Sequence, residues 1–140
     1  FCGTLCGCKH PSYQDLEGLR VSSHFFIERS GRLFQYVSCL DRAWHAGVSS
    51  YEGRENCNDF SIGVELEGTD SAPYEQAQYE TLGRLTDALA EAYPIKYVTG
   101  HSMIAPLRKT DPGPAFDWLT YESLCTTGKP LCFPYVYTSN

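Results

Sequence analysis

The sequence predicts a mixed α/β domain, a central β-sheet flanked by helices, and three segments carry that prediction. Residues 21–28 (VSSHFFIE) and 33–37 (LFQYV) are apolar, β-branched or aromatic runs joined by Arg29-Ser30-Gly31-Arg32, a hairpin pattern in which glycine supplies the turn. Residues 60–66 (FSIGVEL) read as a buried strand. Residues 73–93 form the longest helical pattern, with Tyr79, Leu82, Leu85, Leu89 and Ala92 recurring every three or four positions on one face.

The remaining elements follow in chain order. Residues 1–19 are rich in Gly, Cys and polar groups and read as loop, with room for one helical turn at 13–19. Residues 41–58 carry Gly47, Gly53, two asparagines and several charges, which predicts a long loop; loops of that length in a compact domain usually carry function. Pro73 suits the first position of the long helix and Pro94 ends it. Residues 95–98 (IKYV) predict a short strand that delivers His101 at its end, and 115–124 predict a last helix. From Cys125 onward, Gly128, Pro130 and Pro134 break any periodicity.

Composition narrows the function classes. At 140 residues the chain suits one domain with one core, residues 1–140. A net charge of −6 argues against nucleic acid or an anionic membrane as the main partner, because both require a basic face. No apolar run approaches the ~20 residues needed to span a bilayer. The opening FCGTLCGCKH has neither a basic start nor an apolar segment, so no export signal is read there and a cytoplasmic location is expected. The seven cysteines, an odd number, cluster towards the ends and are read as reduced thiols. Cys6-x-Cys8-x-His10 has no second half to complete a metal cluster and is weak evidence for one.

Four acidic or basic positions stand out chemically. His101 is followed ten residues later by Asp111, and an imidazole and a carboxylate are both good Zn²⁺ donors. Lys109, two residues before Asp111, falls on the same side of an extended segment and could stabilise developing negative charge. Glu65 occupies a buried-strand position where an apolar residue is expected, with Glu67 on the same face. A buried carboxylate is costly unless it is paired or used, for instance as a general base. The plainer alternatives are a structural histidine, a surface Lys–Asp pair worth under ~1 kcal/mol, and a Glu65–arginine ion pair.

The stretches VSSHFFIERSGRLFQYV, RAWHAGVSSYEGRENCNDFSIGVELEGTD and TGHSMIAPLRKTDPGPAFDW resemble the type-2 N-acetylmuramoyl-L-alanine amidase family across residues 9–118, with atypical ends at 1–8 and 119–140. That resemblance implies a mixed sheet flanked by helices, as in the amidases and the related peptidoglycan-recognition proteins. It implies zinc held by His101 and Asp111, Glu65 as catalytic acid/base and Lys109 as transition-state stabiliser. It also implies substrate contacts from Arg20, Trp44 and His45, against which stand packing for Trp44 and scaffold roles for His24 and His45. The substrate would be a small muropeptide cut between the muramyl sugar and L-alanine, in cell-wall recycling, by a monomer. The family's first zinc ligand, a histidine closing an N-terminal strand, has no counterpart here, and the expectation is that it and its strand precede Phe1. The family's His-Pro-Tyr is replaced by His10-Pro11-Ser12-Tyr13. A non-catalytic muropeptide-binding module or an inactive fragment is the competing reading.

Overall fold

A computed structural model describes residues 21–134. The predicted hairpin forms: Phe25–Ile27 (β1) pairs antiparallel with Leu33–Gln35 (β2), in a register that sets Phe26 opposite Phe34. Its turn requires glycine on two counts. Gly31 has φ 84, and a Cβ there would come within 2.7 Å of the Ala77 carbonyl oxygen. The predicted strand at 60–66 narrows to Val64–Leu66, which runs parallel to β1 with Glu65 opposite Phe26. Counting that strand as β5, after the small hairpin below, the sheet is mixed and ordered β2-β1-β5.

Alternation then separates the two faces. Phe25 and Ile27 turn to one side and join Tyr79, Leu82, Leu85, Phe116 and Tyr121 in the core. Phe26 and its register partners Phe34 and Glu65 share the other side. Glu65 therefore faces away from the helical layer, which is where a site can open.

The helical layer is built on Gln76–Ala92 (α1). It starts three residues after the expected Pro73, because Glu75 and Gln78 close a capping box, the Gln78 side chain accepting from the Glu75 amide at 3.0 Å. Gln78 is fully buried, and its amide also donates to the Glu67 carbonyl at 2.9 Å, locking the helix start to the end of β5. The chain leaves the helix at Tyr93, before Pro94 as expected. Of the predicted face, Tyr79, Leu82 and Leu85 are buried, Leu89 packs against the core and Ala92 is exposed.

The last helix, Trp118–Leu124, begins at Asp117, whose carboxylate accepts from the Thr120 amide at 3.0 Å. It packs on α1 where Gly83 leaves space against Leu124, and Thr86 and Tyr121 share a buried hydroxyl–hydroxyl bond of 2.7 Å. Residues beyond 118 therefore belong to the core through Tyr121 and Leu124 of the expected helix and through Phe133, which lies in the stretch from Cys125 onward that carries no periodic signal.

Three expectations need correction. The loop at 41–58 contains a two-residue hairpin, Ser50–Tyr51 (β3) with Arg54–Glu55 (β4), and a 3-10 turn at Cys57–Asp59. Glu52 and Gly53 both take positive φ, the turn geometry for which Asn-Gly is the usual signal and Glu-Gly a faint one. Residues 95–98 form only a bridge between Tyr97 and Cys132, two backbone bonds being too few to make a strand. His101 consequently opens a one-turn helix, His101–Ile104 (α2), which makes the last helix α3. The cysteines at 39, 57, 125 and 132 are free thiols, and those at 2, 6 and 8 lie outside the described residues.

Candidate active site

Four sequence-predicted groups meet on the Glu65 side of the sheet. His101 and Asp111 stand side by side, Nδ1 to Oδ2 at 3.3 Å. The Ser102 amide donates to the Asp111 backbone carbonyl at 2.9 Å, fastening the Asp111 loop to α2. Burial alone would raise the Asp111 carboxyl, but its hydrogen bond to His101 and the charge of that ring outweigh burial and hold it below the usual range. Burial pushes Glu65 up to about 7, the Asp111 charge adds to the rise, and His101 and Lys109 oppose it. One Glu65 carboxylate oxygen is buried without a hydrogen-bond partner, and among the described residues no arginine pairs with it. Glu67 is spent elsewhere, accepting from the Arg29 amide at 2.9 Å.

Hydrogen-bond accounting fixes the His101 ring. Its Nε2 lies 3.0 Å from the Ala46 carbonyl oxygen, which can only accept, so Nε2 carries the proton. Nδ1 then faces the Asp111 oxygen at 3.3 Å, a contact that is favourable with a proton or a metal ion between the two atoms. This pair fits a divalent ion such as zinc. Among the described residues no group of three His, Cys, Asp or Glu side chains is placed to hold one, so these two are the donors present.

The loop at 43–47 forms the wall beside His101, and several contacts fasten it. The Asn58 side-chain oxygen accepts from the His45 amide at 3.0 Å and the Ala46 amide at 2.8 Å. Ser22 bonds Trp44 twice, its amide to the Trp44 carbonyl at 3.1 Å and its hydroxyl accepting from the Trp44 amide at 3.0 Å. Arg108 donates to the Ala46 and Val48 carbonyls at 2.6 and 3.0 Å. Sequence reasoning missed Asn58 and Arg108; the sole hint was Arg108 standing beside Lys109 in LRKTD.

The expected substrate residues divide. Trp44 is half exposed, with the Arg42 guanidinium 4.1 Å from the ring centroid and Arg42 itself held by Asp59 at 2.8 Å. An indole braced in this way presents a fixed flat surface. His45 is largely buried, its Nε2 lies 2.8 Å from the Ser61 hydroxyl, and burial together with His24 and His101 lowers its pKa to about 4. That setting favours a scaffold role over direct substrate contact. His24 is a scaffold residue too, its Nε2 donating to the Asp41 carbonyl at 2.9 Å while Nδ1 accepts from the Gly63 amide at 3.1 Å. Arg20 lies outside the described residues.

Comparison with known proteins places this geometry in a family. The model of the family described as N-acetylmuramoyl-L-alanine amidase matches residues 3–114. The 1,6-anhydro-N-acetylmuramyl-L-alanine amidase AmpD of Citrobacter freundii is 55% identical over 90% of this chain and 68% of its own length. A crystal structure of an AmpD derivative superposes with a TM-score of 0.78 at 55% identity, covering 84% of this chain and 66% of that one. The Escherichia coli amidase AmiD, solved with anhydro-N-acetylmuramic acid-L-Ala-D-γ-Glu-L-Lys as substrate, superposes with a TM-score of 0.71 at 36% identity, over 81% of this chain and 51% of that one. The chain thus spans about two thirds of the length of the AmpD relatives.

Proposed function

The chain belongs to the N-acetylmuramoyl-L-alanine amidase family, and we propose that it hydrolyses the amide between 1,6-anhydro-N-acetylmuramic acid and the L-alanine of muropeptides, in cytoplasmic cell-wall recycling. The observation that carries this reading is the His101–Asp111 pair lying beside a half-buried Glu65, one of whose carboxylate oxygens is buried with no hydrogen-bond partner among the described residues. The names of the relatives supply the substrate class.

His101 Nδ1 and Asp111 would hold zinc, which supplies Lewis acidity towards the lactyl carbonyl when bound. Glu65 takes the proton of the attacking water and returns it to the departing L-alanine amine. A carboxyl raised to about 7 suits both halves of that exchange at neutral pH. Lys109, whose charge reaches Glu65, stabilises the negative charge that develops on the carbonyl oxygen. Trp44, braced by Arg42, offers a flat face to the sugar.

The test is turnover of an anhydromuramyl-L-alanyl peptide by the parent protein and by His101→Ala and Asp111→Ala. Both variants should lose activity together with bound zinc. Full activity in either would remove the proposed metal pair. One observation favours a muropeptide-binding module instead, namely that only two donors come together among the described residues. That reading predicts binding without turnover.

A further inference from the structure

Resting on the reading of His101 as a metal ligand, we propose that Arg108 is a positioning residue that sets the His101 ring through one shared carbonyl oxygen. Ala46 O accepts from two sources, His101 Nε2 at 3.0 Å and Arg108 Nη2 at 2.6 Å. A carbonyl oxygen has two lone pairs, so it can serve both donors at once. The same Arg108 nitrogen also reaches Val48 O at 3.0 Å, so the guanidinium straddles the loop on either side of Gly47. Gly47 is shaped for this seat: its φ is +60, and a Cβ there would lie 2.8 Å from Arg108 Nη2. On its other side the loop is fixed by Asn58, which accepts from the Ala46 amide at 2.8 Å. Ala46 is therefore held at both ends, its carbonyl by the Arg108 guanidinium and its amide N–H by the Asn58 side-chain oxygen.

The loop closes back on its own starting point. The Arg108 amide donates to Ala105 O at 3.0 Å, and the Ala105 amide donates to His101 O at 3.0 Å. His101 from α2 and Arg108 from the turn that follows it thus converge on the same oxygen of a loop some sixty residues away in sequence. Partners of this kind fix which ring nitrogen of a ligating histidine is protonated and which faces the metal, and losing them costs about 10–100-fold in metal affinity. Arg108 acts one bond further out, so its effect belongs at the lower end of that range.

The experiment compares Arg108→Ala, Arg108→Lys, His101→Ala and the parent. The readouts are Zn²⁺ affinity by competition with a chromophoric chelator and the visible absorption spectrum of the Co²⁺-loaded protein. Arg108→Ala should weaken Zn²⁺ about tenfold and alter the Co²⁺ spectrum. Arg108→Lys, which keeps a cationic donor for Ala46 O, should recover most of both and serves as the informative variant if the alanine form folds poorly. Parent affinity and an unaltered spectrum in Arg108→Ala would overturn the proposal. So would an effect confined to KM for the muropeptide, which would make Arg108 simply a wall of the cavity of about 360 Å³ that it lines with Val48, Glu55 and Leu107. If His101→Ala itself kept parent zinc affinity, the ligand assignment would fall and the Arg108 proposal with it, and that failure is distinguishable from the other two.

Discussion

Replacing Glu65 by glutamine should make the metal-free protein more stable and the enzyme nearly inactive. The stability effect follows from burial. The folded environment raises the Glu65 carboxyl from 4.5 to about 7, so the folded state binds its proton more tightly than the unfolded chain. Below the unfolded value both states are protonated and the group contributes nothing. As pH climbs from 4.5 towards 7 the unfolded chain ionises first, stability falls, and the full penalty is present above pH 7. At ~1.4 kcal/mol per tenfold, the loss between pH 5 and pH 8 is about 2.5 kcal/mol. Glutamine has nearly the same shape and never ionises, so it removes that slope. Its activity should fall about 10²–10⁴-fold, because an amide cannot accept the water's proton. Urea unfolding of parent and variant at pH 5 and pH 8, after chelation, gives the difference directly. Among the described residues the charged groups acting on Glu65 are Asp111, His101 and Lys109, and Asp111→Asn in the same series isolates the anionic contribution of the three. Equal pH slopes in parent and Glu65→Gln would refute the buried-carboxylate argument, and near-parent turnover would refute the general-base role.

Three further outcomes are expected. Lys109→Ala should lose roughly 10²–10³ in kcat while binding product-like muropeptide within a few-fold of the parent by calorimetry, since a transition-state cation acts on charge absent from the ground state; lost affinity with preserved kcat would make Lys109 a recognition residue. Asn58→Ala should cost about 2–5 kcal/mol in urea unfolding, because two loop amides lose their acceptor in a buried setting; a loss under ~1 kcal/mol would mean the loop is fastened by other contacts. Gly83→Ala should lower Tm despite alanine's better helix propensity, its Cβ falling 2.7 Å from Leu124 O, with overpacking typically costing about 1–3 kcal/mol; a raised Tm would contradict the close α1–α3 approach.

Elements with a local cause were legible in the sequence. The hairpin was announced by Gly31, and the body of α1 by leucines on one face. Elements set by tertiary context were not. The start of α1 was decided by a Glu75–Gln78 capping box instead of Pro73, and residues 95–98 lacked a neighbouring strand to pair with. His101 was expected at a strand end, whereas it opens α2. Glu65 was legible because a carboxylate at an apolar position violates the strand pattern. Asn58 and Arg108 were hidden because both act on backbone groups of the 43–47 loop. The Arg108–Ala46 bond spans 62 positions, a separation that no local pattern registers.

The central claim is that water attacks the lactyl carbonyl of a muramyl-L-alanine amide under general-base assistance from Glu65. Hydrolysis of an anhydromuramyl-L-alanyl peptide in H₂¹⁸O, followed by mass spectrometry, tests it most directly. The account predicts one ¹⁸O atom in the carboxylate of the released anhydro-N-acetylmuramic acid, a free unlabelled L-alanyl peptide, and almost no label incorporation with Glu65→Gln. Cleavage at another bond of the peptide, or tight binding with no labelled product from the zinc-loaded parent protein, would contradict it.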